Sequence, residues 1–277
     1  MIIIVMFIII LIILGLCFGS FINALVWRTH ENIKKKEKLS IVKGRSICTK
    51  CKHTLGPLDL IPVLSWLFLS GKCRYCHKPI SVQYPLVELF TVLIFVSSYI
   101  WWPYKFSTFQ DVGFGIWLII LTGLIALALY DLKWKILPSI YIYSIATLSI
   151  ILQVINILHS TQPTKALLNS VLAVLVGGGI FYVIYQVSQG KWIGGGDVRL
   201  GFLLGLLAGT LGRSILYIFL ASIIGSIVGT TSIALKKQSK NSYIAFGPYL
   251  ILGLILVQLF GHDILNWYQN TFFLNTF

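Results

Sequence analysis

Three groups of side chains in this 277-residue chain have the types and spacing to do chemistry. The first is Gly194-Gly195-Gly196-Asp197, where a polar stretch ending at Lys191 gives way to an apolar run from Val198. A carboxylate there is costly, since an Asp at the centre of a spanning helix costs roughly 2.5–3.5 kcal/mol. Glycines lack Cβ atoms, admit another backbone closely and permit positive φ. The stretch therefore reads as an acid beside a slot for extended peptide. The competing reading makes Asp197 only the N-cap of the helix that follows. The second group is Asp131, at the end of another apolar run. Two carboxyls brought together at a poorly hydrated site do not both ionise easily, so one keeps its proton as acid while the other activates a water as base. Taken singly, Asp131 reads as a charge snorkelling beside Lys133 or Lys135.

Elimination strengthens the pairing, because the chain has only eight acidic residues. Glu31, Glu37 and Asp59 fall in a polar loop, and Asp111 and Asp263 at the opposite ends of the apolar runs. That leaves Glu88, Asp131 and Asp197 at one membrane depth. Glu88 is a third candidate, able instead to bind a substrate amine or a neighbouring helix. No Ser-His-Asp set or H-E-x-x-H pattern accompanies them, which argues against serine and zinc proteases.

The third group is Cys48-Thr49-Lys50-Cys51 and Cys73-Arg74-Tyr75-Cys76, two C-x2-C pairs separated by twenty-one residues. Each pair presents two thiolates to one ion, and together they complete a closed tetrahedral Zn²⁺ site of structural type. Disulfides are the alternative, disfavoured in a reducing cytoplasm. His53 and His77 read as bystanders, and Cys17 as a small packing residue in an apolar helix.

These groups must be positioned by membrane helices. The chain is 57% hydrophobic and 11% charged, with a mean hydropathy of +0.88. That composition belongs to an all-α polytopic membrane protein. Eight apolar spans are expected, near 2–26, 84–102, 113–130, 139–158, 167–187, 198–212, 214–235 and 243–261. The sixth is short, and so tilted, shallow or partly re-entrant. Alternating the span ends puts all but Lys105, Lys165 and Arg213 of the 22 Lys and Arg on one side. By the positive-inside rule both termini lie outside and the 27–83 loop is cytoplasmic. The net charge of +14 then has a topological cause. It calls for no nucleic acid, though it suits anionic lipid headgroups.

Residues 2–26 read as a retained anchor, since Arg28, Lys34, Lys35 and Lys36 follow the apolar run where a secretory signal has its charge first. Asn23 and Arg28 fall at its cytoplasmic end, where simple interfacial anchoring would explain both. Gly177-Gly178-Gly179 and the small residues Ser222, Gly225, Ser226 and Gly229 read as helix-packing faces. Gly247-Pro248 opens the last span at the depth of Asp197.

Taken together, these motifs resemble the type IV prepilin peptidases. The likeness runs over nearly the whole chain: Gly19-Ser20-Phe21 to Arg28, the four cysteines, Asp59 to Trp66, and Tyr84-Pro85-Leu86-Val87-Glu88-Leu89. It continues through Asp131, Gly194-Gly195-Gly196-Asp197 and Phe246-Gly247-Pro248. The resemblance implies that Asp131 and Asp197 are catalytic aspartates in a bacterial plasma-membrane enzyme. They would cut a prepilin-like precursor after the Gly that ends its leader. It further implies that S-adenosylmethionine methylates the new N-terminus, an activity the family associates with the cysteine loop. On this reading 1–26 is the anchor, 27–83 the zinc-binding loop and 84–277 the peptidase domain. Ala24, Ser139 and Ala245 depart from the family pattern without removing a proposed catalytic group. The rival is a membrane scaffold or transporter with a structural zinc loop, and within proteases a presenilin-like enzyme. Oligomeric state has no signature in the sequence.

Overall fold

The computed structural model describes residues 2–35, 40, 44–103, 108–235 and 245–272. Lys36, Glu37, Lys105, Lys236, Lys237 and Lys240 lie outside the described residues. Among the described residues the chain is helical, with two isolated β-bridges and no strand. The helices are α1 (Ile2–Lys35), α2 (Leu64–Phe68), α3 (Gln83–Ile100), α4 (Thr108–Trp134), α5 (Ser139–Leu158), α6 (Pro163–Ser188), α7 (Gly195–Ala208), α8 (Leu211–Ala234) and α9 (Gly247–Phe272). All but α2 and α7 are long and apolar enough to cross a bilayer, seven in total. The chain forms two compact units, Met1–Ile100 and Trp101–Phe277.

In the first unit α1 continues past the expected end at residue 26 to Lys35. It packs along α3, which the sequence reading groups with the later helices. Glycine makes this possible: an ideal Cβ on Gly15 would lie 2.7 Å from Val92 Cα, and one on Gly19 2.5 Å from Glu88 Cα. Backbones approach this closely only where a side chain is missing. Asn23, buried in α1, locks the pair. Its amide donates to the carbonyls of Gly19 and Tyr84, both at 3.2 Å, and its Oδ1 accepts from Gln83 Nε2 at 3.1 Å. Interfacial anchoring is therefore too weak a description of Asn23, which staples two helices. Arg28 gathers the chain beyond α1 by donating to the carbonyls of Ser40 and Gly44 at 3.2 and 3.1 Å.

In the second unit the short helix α7 runs through the centre. Its 14 residues span about 21 Å at 1.5 Å per residue, less than the ~30 Å hydrocarbon core. It nevertheless carries the chain most of the way back along α6. The α7 end meets Ser170 near the α6 start, where the Ser170 hydroxyl donates to Gly209 O at 3.5 Å. Gly209, at φ +72°, ends the helix in the left-handed conformation that glycine adopts without strain. Thr210 caps α8, its hydroxyl oxygen accepting from the Arg213 N–H. A break at this depth is tolerable because protein groups satisfy it.

Packing between α6 and α7 is backbone to backbone. An ideal Cβ on Gly177 would lie 2.7 Å from Gly205 Cα, and one on Gly201 2.7 Å from Gly177 O, while Gly178 abuts the Phe202 ring. The buried Tyr217 hydroxyl of α8 seals the contact by donating to Gly177 O and Gly201 O, each at 3.3 Å. Gly177 and Gly178 thus pack as expected, whereas an added Cβ at Gly179 would meet nothing within 4 Å. The α8 stripe differs more. Ser222, Gly225, Ser226 and Gly229 line an open groove of about 460 Å³ beside Phe246 and Tyr249. The two rings reach Gly225 and Gly229 is buried, whereas Ser222 and Ser226 stay exposed.

Candidate functional site

The carboxyl of Asp131 sits at the end of α4 in the second unit. The residue is 4% exposed, and its Oδ2 has no hydrogen-bond partner among the described residues. A buried carboxylate oxygen without a partner carries a desolvation cost, and such atoms in native proteins call for an explanation. Snorkelling does not supply one, because the side chain is enclosed. Lys133 instead lies over the Trp134 ring, 5.4 Å from its centroid. Lys135, at φ +55°, closes the helix by donating its N–H to Asp131 O at 2.8 Å.

Gly247, the first residue of α9, forms the wall beside this carboxyl. An ideal Cβ there would lie 2.7 Å from Asp131 Oδ2 and 3.4 Å from Leu200 Cδ2. Leu200 is one turn beyond Asp197 on α7, so Gly247 connects the two acidic helices. Pro248 follows, buried, in the first turn of α9, where a missing N–H leaves nothing unsatisfied. The Asp197 carboxyl lies within electrostatic reach of Asp131. The loop from α4 to α5 completes the enclosure, because an ideal Cβ on Gly196 would meet Leu137 Cβ at 3.2 Å.

The helix cap is Gly194, with Asp197 at the third helical position. The half-buried Asp197 side chain turns back toward the Gly194 backbone, and an ideal Cβ on Gly194 would stand 3.6 Å from its Oδ2. A carboxylate in the first turn is favoured by the helix dipole. None of the three glycines uses positive φ; Gly194 is extended at φ −76° and ψ 150°. They supply room instead, and unequally. Gly196 is packed, whereas the nearest atom to a Cβ on Gly195 is Tyr185 Cε2 at 3.9 Å.

Sequence reasoning missed three supports. The Arg199 guanidinium donates to Ser139 Oγ at the start of α5, fixing the acidic end of α7. Leu137 and Leu200 shape the walls. Arg199, a cation two residues from Asp197, was a readable signal; Leu137 and Leu200 look like any other apolar residues.

Glu88 has a partner of its own in the first unit. It is buried, and its Oε2 accepts the Val63 N–H at 2.7 Å. Val63 stands at φ +60°, a conformation β-branched residues rarely adopt. The bond holds the segment around α2 against the second turn of α3.

The four cysteines converge. Cys48, Cys51, Cys73 and Cys76 present sulfur atoms all within 4.8 Å of one another, with Cys48 and Cys76 at 4.0 Å. A tetrahedral thiolate site with metal–sulfur bonds of about 2.3 Å has sulfurs roughly 3.8 Å apart, so the set fits a metal ion. Burial pushes the Cys48 thiol up, but the N–H groups of Cys51 and Lys50 and the Cys51 and Cys73 thiols outweigh it and bring it down to about 7. The His53 ring packs on Tyr75 at 3.6 Å between centroids, tilted by 35°, joining the two halves. It belongs to the packing, and neither it nor His77 is in the sulfur cluster.

Residues 13–102 match the bacterial peptidase A24 N-terminal domain and residues 118–230 the type IV leader peptidase family. A prepilin leader peptidase/N-methyltransferase of Pseudomonas aeruginosa is 30% identical, over 95% of this chain and 93% of that protein. One of Bacillus subtilis is 29% identical, over 94% and 96%. A type 4 prepilin-like proteins leader peptide-processing enzyme of Escherichia coli is 31% identical, over 86% and 88%. No solved structure matches the chain. With both units matched in order and relatives aligned over nearly the full length, this multi-pass inner-membrane protein belongs to the type IV leader peptidase family.

Proposed function

We propose that the protein is a membrane aspartic endopeptidase that removes the leader of type IV prepilin-like precursors and N-methylates the residue it exposes. The observation that carries the peptidase half is the buried, unpartnered Oδ2 of Asp131, walled by Gly247 and within electrostatic reach of Asp197. Two acids of this kind share a proton. The ionised one takes a proton from water as the oxygen adds to the scissile carbonyl, and the protonated one gives its proton to the leaving amine. The products are a leader ending in a carboxylate and a mature chain with a free amine. The two acids titrate as a unit, so acid and base belong to the pair.

The space at Gly194 and Gly195 suits extended substrate backbone across the bond to be cut. Family membership supports the substrate class, and the excess of Lys and Arg on one side supports a cytoplasmic position for the site, with both termini outside. In the cysteine loop, Cys48, Cys51, Cys73 and Cys76 would hold Zn²⁺, which clamps a segment otherwise too small to fold stably. S-adenosylmethionine would supply the electrophilic methyl group that the new amine accepts.

Mass spectrometry of a prepilin-like precursor co-expressed with wild type, Asp197→Asn and Cys48→Ser tests the proposal. Wild type should yield a shortened chain bearing one added methyl group, and Asp197→Asn an intact precursor. Cleavage without methylation by wild type would reduce the protein to a plain peptidase. An untouched precursor in the presence of well-expressed enzyme would move the reading to a scaffold or transporter.

A further inference from the structure

The loop between α1 and α3 carries an apolar surface that neither the peptidase site nor the cysteine cluster uses. The segment folds as a 3₁₀ turn, Pro57–Leu60, followed by α2. Within eleven residues, Leu58, Leu60, Ile61, Leu64, Leu67 and Phe68 are exposed, from 39% at Leu60 to 83% at Phe68. A patch of this density in a small polar loop marks a contact surface.

The polar groups of the same segment are turned the other way. Asp59 accepts from Arg74 Nε at 2.7 Å, Tyr75 Oη at 3.2 Å and Gly56 N at 3.0 Å. Trp66 Nε1 donates to Ile80 O at 3.1 Å. The apolar side chains are therefore left outward because the polar ones are engaged inward on the knuckles.

Where this surface stands follows from the Val63–Glu88 bond. Glu88 belongs to the second turn of α3, a bilayer-spanning helix, so the residue just before α2 is held beside the membrane end of that span. A β-branched residue at φ +60° is strained, so the placement is held by the surrounding structure. Residues 44–83 also carry six Lys and Arg against the single acid Asp59. Arg45, Lys50, Lys52, Lys72 and Lys78 are exposed. An apolar patch in a basic loop, tethered at the end of a membrane helix, complements an anionic bilayer surface.

We propose that the Pro57–Phe68 segment is an interfacial anchor. It seats Leu64, Leu67 and Phe68 in the bilayer face from which α3 emerges, with the basic residues of the cysteine loop on anionic headgroups. The proposal is independent of the peptidase reading, since it uses only the membrane helices and the loop.

The test is photocrosslinking of the full chain in nanodiscs of phosphatidylethanolamine and phosphatidylglycerol. p-Benzoylphenylalanine would replace Phe68, and in a second variant Leu64. Ile9, on the exposed face of α1, serves as the lipid-facing control, and the exposed Thr49 as the water-facing one. After irradiation, mass spectrometry should find lipid adducts at Phe68 and Leu64 within a few-fold of Ile9 and about tenfold above Thr49. The yield at Phe68 should fall several-fold in pure phosphatidylcholine. Adducts at Ile9 but none at Phe68 or Leu64 would overturn the anchor. So would crosslinks from Phe68 to a second copy of the chain. An unchanged yield in phosphatidylcholine would overturn the role of the basic residues.

Discussion

The cysteine cluster and the aspartate pair are built in opposite ways. The cluster is one local turn used twice. Cys48 N donates to His53 O and Lys52 N to Cys48 O; Cys73 N donates to Lys78 O and His77 N to Cys73 O, all at 2.9 Å. Lys52 and His77 occupy the same position in the turn and share a positive φ, +64° and +53°. Each half also closes with one β-bridge, Ile47 to Thr54 and Lys72 to Pro79. The aspartates have no such local frame. Asp131 ends α4, Asp197 begins α7, and Gly247 from a third helix fills the space beside the first of them. A site made from repeated turns offers a metal ion four sulfurs from two local frames. A site made from helix ends needs the whole second unit folded.

The sharpest way to break the comparison is to remove one carboxylate. Asp131→Asn and Asp197→Asn should each lower precursor cleavage by about 10³-fold or more. Membrane insertion and metal content should be unchanged. Asn is the informative replacement at Asp197, because its amide oxygen can still face the α7 N-terminus while the acid is gone. Methylation of a precursor supplied already cut should survive in both variants. If that activity fell equally, the two sites would not be the separate devices their construction suggests.

The next effect belongs to the metal. Structural zinc contributes on the order of 10 kcal/mol of apparent binding free energy in small zinc modules. Cys73→Ser, or stripping by a strong chelator, should therefore unfold the loop. Limited proteolysis should then cut within residues 44–82 while the Trp101–Phe277 unit stays intact. Metal analysis should fall from one ion per chain to near zero.

Glycine substitutions separate room from fold at the aspartates. Gly247→Ala would force its Cβ onto Asp131 Oδ2, and a displacement approaching 1 Å at a catalytic group costs about 10²-fold in rate. Gly195→Ala meets open space and replaces a poor helix former with the best one, a gain of at most ~1 kcal/mol. Its thermal stability should hold or rise while cleavage slows, if extended substrate passes along that face. A Gly195→Ala enzyme with full activity would move the substrate path elsewhere.

How much of this was legible in the sequence follows the same division. The cysteine site was readable from spacing because its geometry is local. The helices were readable from apolar runs, and α7 was recognised as short from its length alone. Pairing Asp131 with Asp197 needed elimination among few acids, and nothing local indicated Gly247 as their wall. Asn23 looked interfacial because its partners, Gln83 and the Tyr84 carbonyl, are sixty residues away. Gly177 and Gly179 are alike in sequence, and only the direction of α7 makes one of them close-packed. The stripe on α8 holds as a packing face at Gly225 and Gly229 but not at Ser222 and Ser226, for a related reason. Small residues permit close approach, but whether a neighbour comes depends on the rings of Phe246 and Tyr249.

The smallest expected effect tests how much the polar contacts of Asp59 add to the ion and the His53–Tyr75 contact in holding the two knuckles. The Arg74 guanidinium holds the Asp59 carboxyl below the usual carboxylate range; burial opposes this, and the Gly56 N–H and the Tyr75 hydroxyl add to it. A carboxyl depressed in the folded state stabilises above its unfolded pKa of about 3.9 and loses that contribution as pH falls through its lower folded value. Asp59→Asn should therefore loosen the loop by a small amount that is constant from pH 8 to pH 5. The Arg74 side chain is 48% exposed, so solvent screens the pair and the effect on metal retention should stay within about threefold. A measured loss that changes steeply between pH 8 and pH 5 would assign the variant's effect to the thiols. A loss as large as that of Cys73→Ser would make this pair, with the ion, an equal partner in holding the two turns together.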